Sequence, residues 1–213
     1  LKITASLQCG IVCEPSLPFD QIISKAAILD AYGVEAVTAP IAVLQLDPVP
    51  PPLAVLNPGP LWYYAASWAQ WPAHTVPYTT YWHKRFNLPR AIGLLDPKNR
   101  QQKIRPDALK YKAYRMPTFS RHALSIYWYA VGDGEEIQRL LTVSPFIGKN
   151  TAQGEGSILR WHVEQVQEDW SIWGPNHQLM RNIPTDDNTG IRMGIRPSYW
   201  DPANTWGCLV PEG

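Results

Sequence analysis

Two stretches of this 213-residue chain carry side chains fit for chemistry. The first is GKNTAQGEG, residues 148–156, with three glycines, one lysine and two amide side chains in nine residues. Glycines lack a Cβ and let a sugar–phosphate chain come close, while Lys149, Asn150 and Gln153 supply a cation, donors and acceptors. The spacing excludes two familiar nucleotide loops. A Walker loop places its lysine after the last glycine and opens a helix, whereas Lys149 follows the first glycine, Gly148, and the loop comes after a helical stretch. A dinucleotide fingerprint beginning at Gly154 and Gly156 would need a third glycine where Leu159 stands. Because the preceding helix presents its negative end, an anion here must be held by loop amides and Lys149, and Glu155 works against it. The plainer reading is a turn whose glycines serve positive φ.

The second stretch is a pair, YWHKRF (81–86) and KYKAYR (110–115), in which aromatic rings alternate with Lys and Arg. That combination stacks unpaired bases and neutralises phosphates. Tyr114 and Trp82 would stack, and Lys84, Arg85, Lys110, Lys112 and Arg115 would meet phosphate. For Trp82 a place in the core is the preferred reading. Between Trp82 and Arg121 eleven Lys and Arg stand against two Asp, a surplus of nine over 40 residues in a chain whose net charge is only +1. Such an island repels itself without a polyanionic partner. His83 beside Lys84 admits another chemistry, metal-independent RNA cleavage, in which imidazole deprotonates a 2′-hydroxyl and lysine steadies the developing charge. A lone histidine in an aromatic strand is more often structural, so cleavage ranks second.

No metal or other cofactor is expected. His74, His122, His162 and His177 lack ligand spacing, and Cys9, Cys13 and Cys208 form no C-x-x-C pair. Arg192, Arg196, Tyr199 and Trp200 are further candidates for RNA or subunit contact. An odd cysteine count, no leader and no apolar run near 18 residues lead to the expectation of a cytoplasmic protein without membrane attachment.

The elements that must position these residues are legible in the pattern. LKITASLQCGI alternates, with Leu1, Ile3, Ala5, Leu7, Cys9 and Ile11 on one face, and predicts a half-buried strand. A helix follows, with Asp20 as its cap, an apolar stripe of Ile22, Ile23, Ala26, Ala27 and Leu29, and Gly33 at its stop. Six prolines between Asp47 and Pro60 favour an extended surface connection. ALSIYWYAV (123–131) predicts a buried strand. Asp133 and Glu136 predict a capping box, Ile137, Leu140 and Leu141 a helical stripe, and Pro145 its end. SILRWHVE then predicts a strand with Leu159, Trp161 and Val163 inward. LWYYAASWAQW and YTTYWHKRF, aromatic-rich, predict strand in part. Strand, helix, this aromatic middle, strand, helix, glycine loop and strand then give a β-α-β-β-α-β order, an α+β, ferredoxin-like (RRM-like) domain over residues 1–213, with a basic insertion at 87–120 and a C-terminal extension at 165–213.

GKNTAQGEGSILRW after a strand and helix resembles the glycine-rich loop of the RAMP superfamily of CRISPR-associated RNA-binding proteins. YYAASW (63–68), YWHKRF, YKAYRMP (111–117), WYAVGD (128–133), MGIRPSYWDP (193–202) and CLVP (208–211) are similar to the handle-binding, Cas-five-like (Csf) subunit of type IV CRISPR effector complexes. The resemblance implies a RAMP domain whose insertion is a thumb-like hairpin. It implies a non-catalytic subunit that grips the repeat-derived 5′ handle of crRNA and caps a filament of Cas-seven-like backbone subunits. It would touch the large subunit and stand indirectly linked to target DNA and a DinG-type helicase. It implies that Gly148, Lys149, Gln153 and Gly154 lie along the RNA backbone; with the residues read from their chemistry, the candidate RNA-binding set is His83, Lys84, Arg85, Lys110, Lys112, Tyr114, Arg115, Gly148, Lys149, Asn150, Gln153, Gly154 and Arg196. Two other classes stay open beside it: the endoribonuclease acting on repeat RNA, and a protein-interaction module with incidental basic charge.

Overall fold

The computed structural model describes residues 1–34, 49–87, 89, 92 and 113–211. In chain order the elements are β1 (Lys2–Leu7), α1 (Phe19–Tyr32), β2 (Val55–Leu56), β3 (Tyr63–Tyr64), β4 (Val76–Lys84) and β5 (Tyr114–His122). After them come β6 (Ser125–Tyr129), α2 (Gly134–Leu141), β7 (Ile158–Glu164), β8 (Ile183–Pro184), β9 (Ile191–Gly194) and β10 (Thr205–Leu209). The result is mixed α/β with several small antiparallel sheets.

β1 is the middle strand of the sheet β6-β1-β7. Its period-2 alternation sends Ile3, Ala5 and Leu7 into the core, where Ile3 faces Trp128 and Val163 and Ala5 faces Ile126 and Trp161. Ile22, Ile23, Ala26 and Ala27 of α1 and Ile137, Leu140 and Leu141 of α2 join the same apolar cluster. Trp128 is fully buried, and its indole N–H donates to the Leu17 carbonyl at 2.9 Å, so a large ring enters the core without an orphaned donor. Beyond β6, residues 65–70 run as an interrupted fourth strand. The Ser67 and Gln70 N–H groups donate to the Tyr129 and Tyr127 carbonyls at 2.8 and 2.7 Å. Ala66 faces Ala130 and Gln70 faces Tyr127, four residues against three, and this bulge breaks the ladder.

Three local expectations change. Leu159 is 72% exposed rather than inward. The ladder shifts between Ser6, which faces Arg160, and Leu7, which faces Ile158, so Leu159 is the extra residue of a bulge and turns out. Asp20 does not cap α1: the helix begins at Phe19 after Pro18, and the Asp20 carboxylate is buried inside the first turn. Asp133 does cap α2, accepting from the Glu135 and Glu136 N–H groups, but Glu136 does not close the reciprocal box. Its carboxylate takes Arg139 instead, and the same guanidinium grips Asp30 of α1 at 2.7 and 3.0 Å, tying the two helices together.

The chain divides into two compact units, one of Leu1–Val76 with Arg121–Gly213 and one of Pro77–Ser120. The inserted unit starts at Pro77, ten residues before the insertion read from composition at 87–120, because β4 pairs with β5 and leaves with it. Within the larger unit the C-terminal residues form a second sheet, β8-β10-β9. Among the described residues no helix is long and apolar enough to cross a membrane.

Candidate nucleic-acid interface

Between β1 and α1 the chain runs extended through Ile11 and Val12, and two of the predicted features are hydrogen-bonded to these consecutive residues. Ile11 and Arg121 exchange two backbone bonds of 2.9 Å, and the Lys149 N–H donates to the Val12 carbonyl at 2.6 Å. The point where the basic island rejoins the larger unit thus lies one residue in register from the glycine loop. Arg121 stacks over the Trp71 ring at 4.9 Å, and Lys149 pairs with Glu14. Cys13 lies between these cations, yet burial pushes its thiol up to about 11.

The glycine loop is partly scaffolding. Gly148 has φ +81°, and a Cβ there would stand 2.6 Å from the Val12 carbonyl oxygen. Gly156 has φ +68°, donates to Gly10 at 2.8 Å, and would drive a Cβ to 1.9 Å from the Ile147 oxygen. Gly154, at φ +90°, has nothing within 4 Å of a Cβ position and faces open space. Asn150 takes a left-handed conformation ahead of the single turn Thr151–Gln153, leaving Asn150, Gln153 and Gly154 exposed. Gly154→Ala should therefore cost only its φ strain, about 1–2 kcal/mol. Gly156→Ala should cost clearly more, because backbone must move as well. Urea unfolding of the two variants distinguishes them.

The inserted unit carries the second predicted feature by itself. On one face of β4 and β5, Trp82 meets Tyr114 edge-on at 5.2 Å and Lys84 lies over Tyr114 at 5.6 Å. On the other, the Arg115 guanidinium lies over Tyr81 at 3.5 Å. Trp82 is 48% exposed, so the expected core placement is overturned: among the described residues the two-stranded hairpin has no second layer to bury the ring under. His83 and Arg85 are exposed as well. Lys110 and Lys112 lie outside the described residues.

A family model described as CRISPR type IV associated protein Csf3 matches residues 1–211. The chain belongs to that family. With it, the chain joins the protein subunits of type IV CRISPR complexes. No curated protein matches the sequence.

Sequence reasoning missed what fastens the C-terminal sheet of this Csf3-family chain. Arg181 is fully buried and donates to the carbonyls of Tyr64, Ala66, Asn182 and Ile195, and it faces Asp20 at 3.5 Å. The Tyr199 hydroxyl donates to both Asp20 oxygens at 2.6 and 2.7 Å. Burial raises the Asp20 carboxyl, with Arg181 opposing, and raises the Tyr199 phenol well above its ordinary value. The signal for this cluster was an acid, Asp20, beside the apolar stripe in the first turn of α1. Arg196 is likewise held internally, bonded to Asn204, Pro60 and Trp62 and packed over the Trp62 ring at 4.5 Å. Its guanidinium is occupied in joining two segments, and desolvation lowers its pKa.

Proposed function

We propose that this chain is a non-catalytic crRNA-binding subunit that holds the single-stranded 5′ handle along the bed made by Ile11–Glu14, Lys149 and Arg121. The observation that carries the reading is the pairing of Arg121 and the glycine loop on adjacent residues, which draws the end of the basic island and the loop to one place. Lys149, Asn150, Gln153 and Gly154 would follow the RNA backbone at the loop, and Gly148 would act by keeping the loop seated. The inserted hairpin would add His83, Lys84, Arg85, Lys110, Lys112, Tyr114 and Arg115 as stacking and phosphate contacts. Arg196 would serve by bracing the wall.

The fold supports the reading too. The interrupted strand 65–70, β6, β1 and β7 lie side by side in the order of a split β-α-β pair, with α1 and α2 as the crossovers, and so suit a ferredoxin-like RAMP domain. Membership of the family supports partnership with Cas-seven-like backbone subunits and a large subunit.

Repeat-derived single-stranded RNA is the test ligand. Replacing Lys110, Lys112 and Arg115 together by Gln should weaken binding and reduce the slope of log K against log salt by roughly 0.7 for each lost phosphate contact. Unchanged affinity and slope would favour a protein-interaction module. RNA cleavage that persists in chelator and disappears in His83→Ala would favour the endoribonuclease.

A further inference from the structure

The central sheet has two outer edges, and they differ. Along the interrupted strand 65–70 the edge is closed, because the Trp68 N–H donates to the Met180 carbonyl and the Ala69 N–H to those of Ser16 and Leu17. At the opposite edge β7 has a strand on one side only, β1. The bonding parity of β1 shows which groups of β7 are left over. The Leu1 amino group donates to Ala130 and the Leu7 N–H to Leu124, so Leu1, Ile3, Ala5 and Leu7 turn toward β6. Lys2, Thr4 and Ser6 turn toward β7, where they meet Glu164, His162 and Arg160. Trp161 and Val163 therefore aim their N–H and C=O groups away from the sheet, and these groups have no backbone partner among the described residues. Below the bulge the edge is covered again, with the Ile158 N–H donating to Pro145. The open section is 160–164.

An unpaired edge is a template for another strand, and native proteins blunt such edges with Lys, Pro or a bulge. ILRWHVE contains neither Lys nor Pro, and its bulge precedes the open section. The charges of that section are arranged symmetrically about His162, with Arg160 two residues before it and Glu164 two after. Arg160 is exposed and has no carboxylate partner among the described residues, while Glu164 meets Lys2 at 3.1 Å with its side chain 42% exposed. An antiparallel copy of the same strand, turned about a two-fold axis at His162, sets Arg160 against Glu164 at both ends. It also sets Trp161 against Val163, so that the two residues with free backbone groups meet in hydrogen-bonding positions. Each side chain then keeps the face it already has, and an isologous pairing of this kind closes on itself.

We propose that a second copy of this chain occupies this edge, its β7 pairing antiparallel with the first about that axis and joining the two sheets into one. The inference is independent of RNA binding. A contact of so few residues belongs to the weak, transient class, with a dissociation constant on the order of 100 μM.

Sedimentation equilibrium of the full chain between about 10 μM and 1 mM should show a reversible monomer–dimer equilibrium. As concentration rises, amide hydrogen exchange at Trp161 and Val163 should slow, while exchange at Arg160 and His162, whose N–H groups already face β1, should not change. Arg160→Glu and Glu164→Arg each put like charges opposite one another in their own dimers and should each weaken association roughly tenfold. Mixed in equal amounts, the two variants restore both opposite-charge pairs and should associate about as tightly as the parent chain. A variant that had merely lost its fold could not be rescued in this way. Val163→Pro removes an outward N–H without touching a bond to β1, and should leave the chain monomeric. A parent chain that stays monomeric at about 1 mM refutes the proposal and leaves the RNA-binding reading untouched. A dimer that persists in all these variants places the contact elsewhere and overturns the inference. So does a mixture of the two charge variants that fails to associate.

Discussion

Arg181→Met should destabilise the larger unit by about 3–5 kcal/mol, the cost of removing one partner from a buried ion pair. That is a large share of the roughly 5–15 kcal/mol that keeps a domain folded. Four carbonyls each lose a donor, and Asp20, fully buried, keeps among the described residues the Tyr199 hydroxyl and the Gln21 N–H. The loss should depend on pH. Burial already raises the Asp20 carboxyl, and Arg181 is the main opposing influence, so its removal raises that carboxyl further. A carboxyl with a raised folded pKa favours the folded state below its unfolded value, about 3.9, and that contribution is lost as pH rises through the folded value. Urea unfolding at a series of pH values should therefore show Arg181→Met closest to the parent in acid and furthest from it at neutral pH. Adding Asp20→Asn to Arg181→Met should recover part of the neutral-pH loss, since no charge is then left buried. A pH-independent deficit would mean that Arg181 acts through its carbonyl contacts alone.

This cluster also marks where local reading ends. Asp20 lies 179 residues from Tyr199 and 161 from Arg181, and no periodicity links them. An acid at the start of a helix reads as a cap, and the returning C-terminal chain turns it into a buried anchor. By contrast, β1, α1, β6, α2 and β7 follow from side-chain alternation, helical stripes and the Asp133 cap, all set within a few residues. Leu159 escaped because one inserted residue inverts every inward and outward assignment before it, and alternation cannot show where a bulge sits. The glycine loop was legible as a loop. Its division into packed Gly148 and Gly156 and open Gly154 was not, because that depends on how close Ile11, Val12 and Ile147 come from elsewhere in the chain.

Fixed loops and anchored walls have a functional consequence. The Lys149 backbone is held by its N–H bond to the Val12 carbonyl, and Gly148 beside it passes so close to that carbonyl that a Cβ would not fit. The Lys149 ammonium, paired with Glu14 on an exposed surface, can still exchange that partner at small cost, because exposed ion pairs contribute only about 0–1 kcal/mol. A phosphate arriving there competes with one carboxylate rather than with a network. The loop thus offers a prepositioned cation on a rigid support.

The hairpin should supply affinity by a different route. Trp82→Ala and Tyr114→Ala remove rings that now rest edge to face at 5.2 Å, with Trp82 half exposed, in a unit that is compact on its own. If each ring stacks on a base of the bound strand, each loss costs about 1–3 kcal/mol, roughly fivefold to 150-fold in affinity for single-stranded RNA. Neither change removes a phosphate contact, so the salt dependence should keep its slope while the whole line drops. Arg115→Gln should behave oppositely, lowering the slope as well as the affinity, because its guanidinium carries charge while packing on Tyr81. RNA carrying abasic sites decides the assignment: it should bind the parent and the ring variants equally, since the partner of the lost ring is already absent. If Trp82→Ala and Tyr114→Ala still weakened abasic RNA tenfold, the rings would be acting by positioning Lys84 over Tyr114 rather than by stacking, and the slope would fall with them.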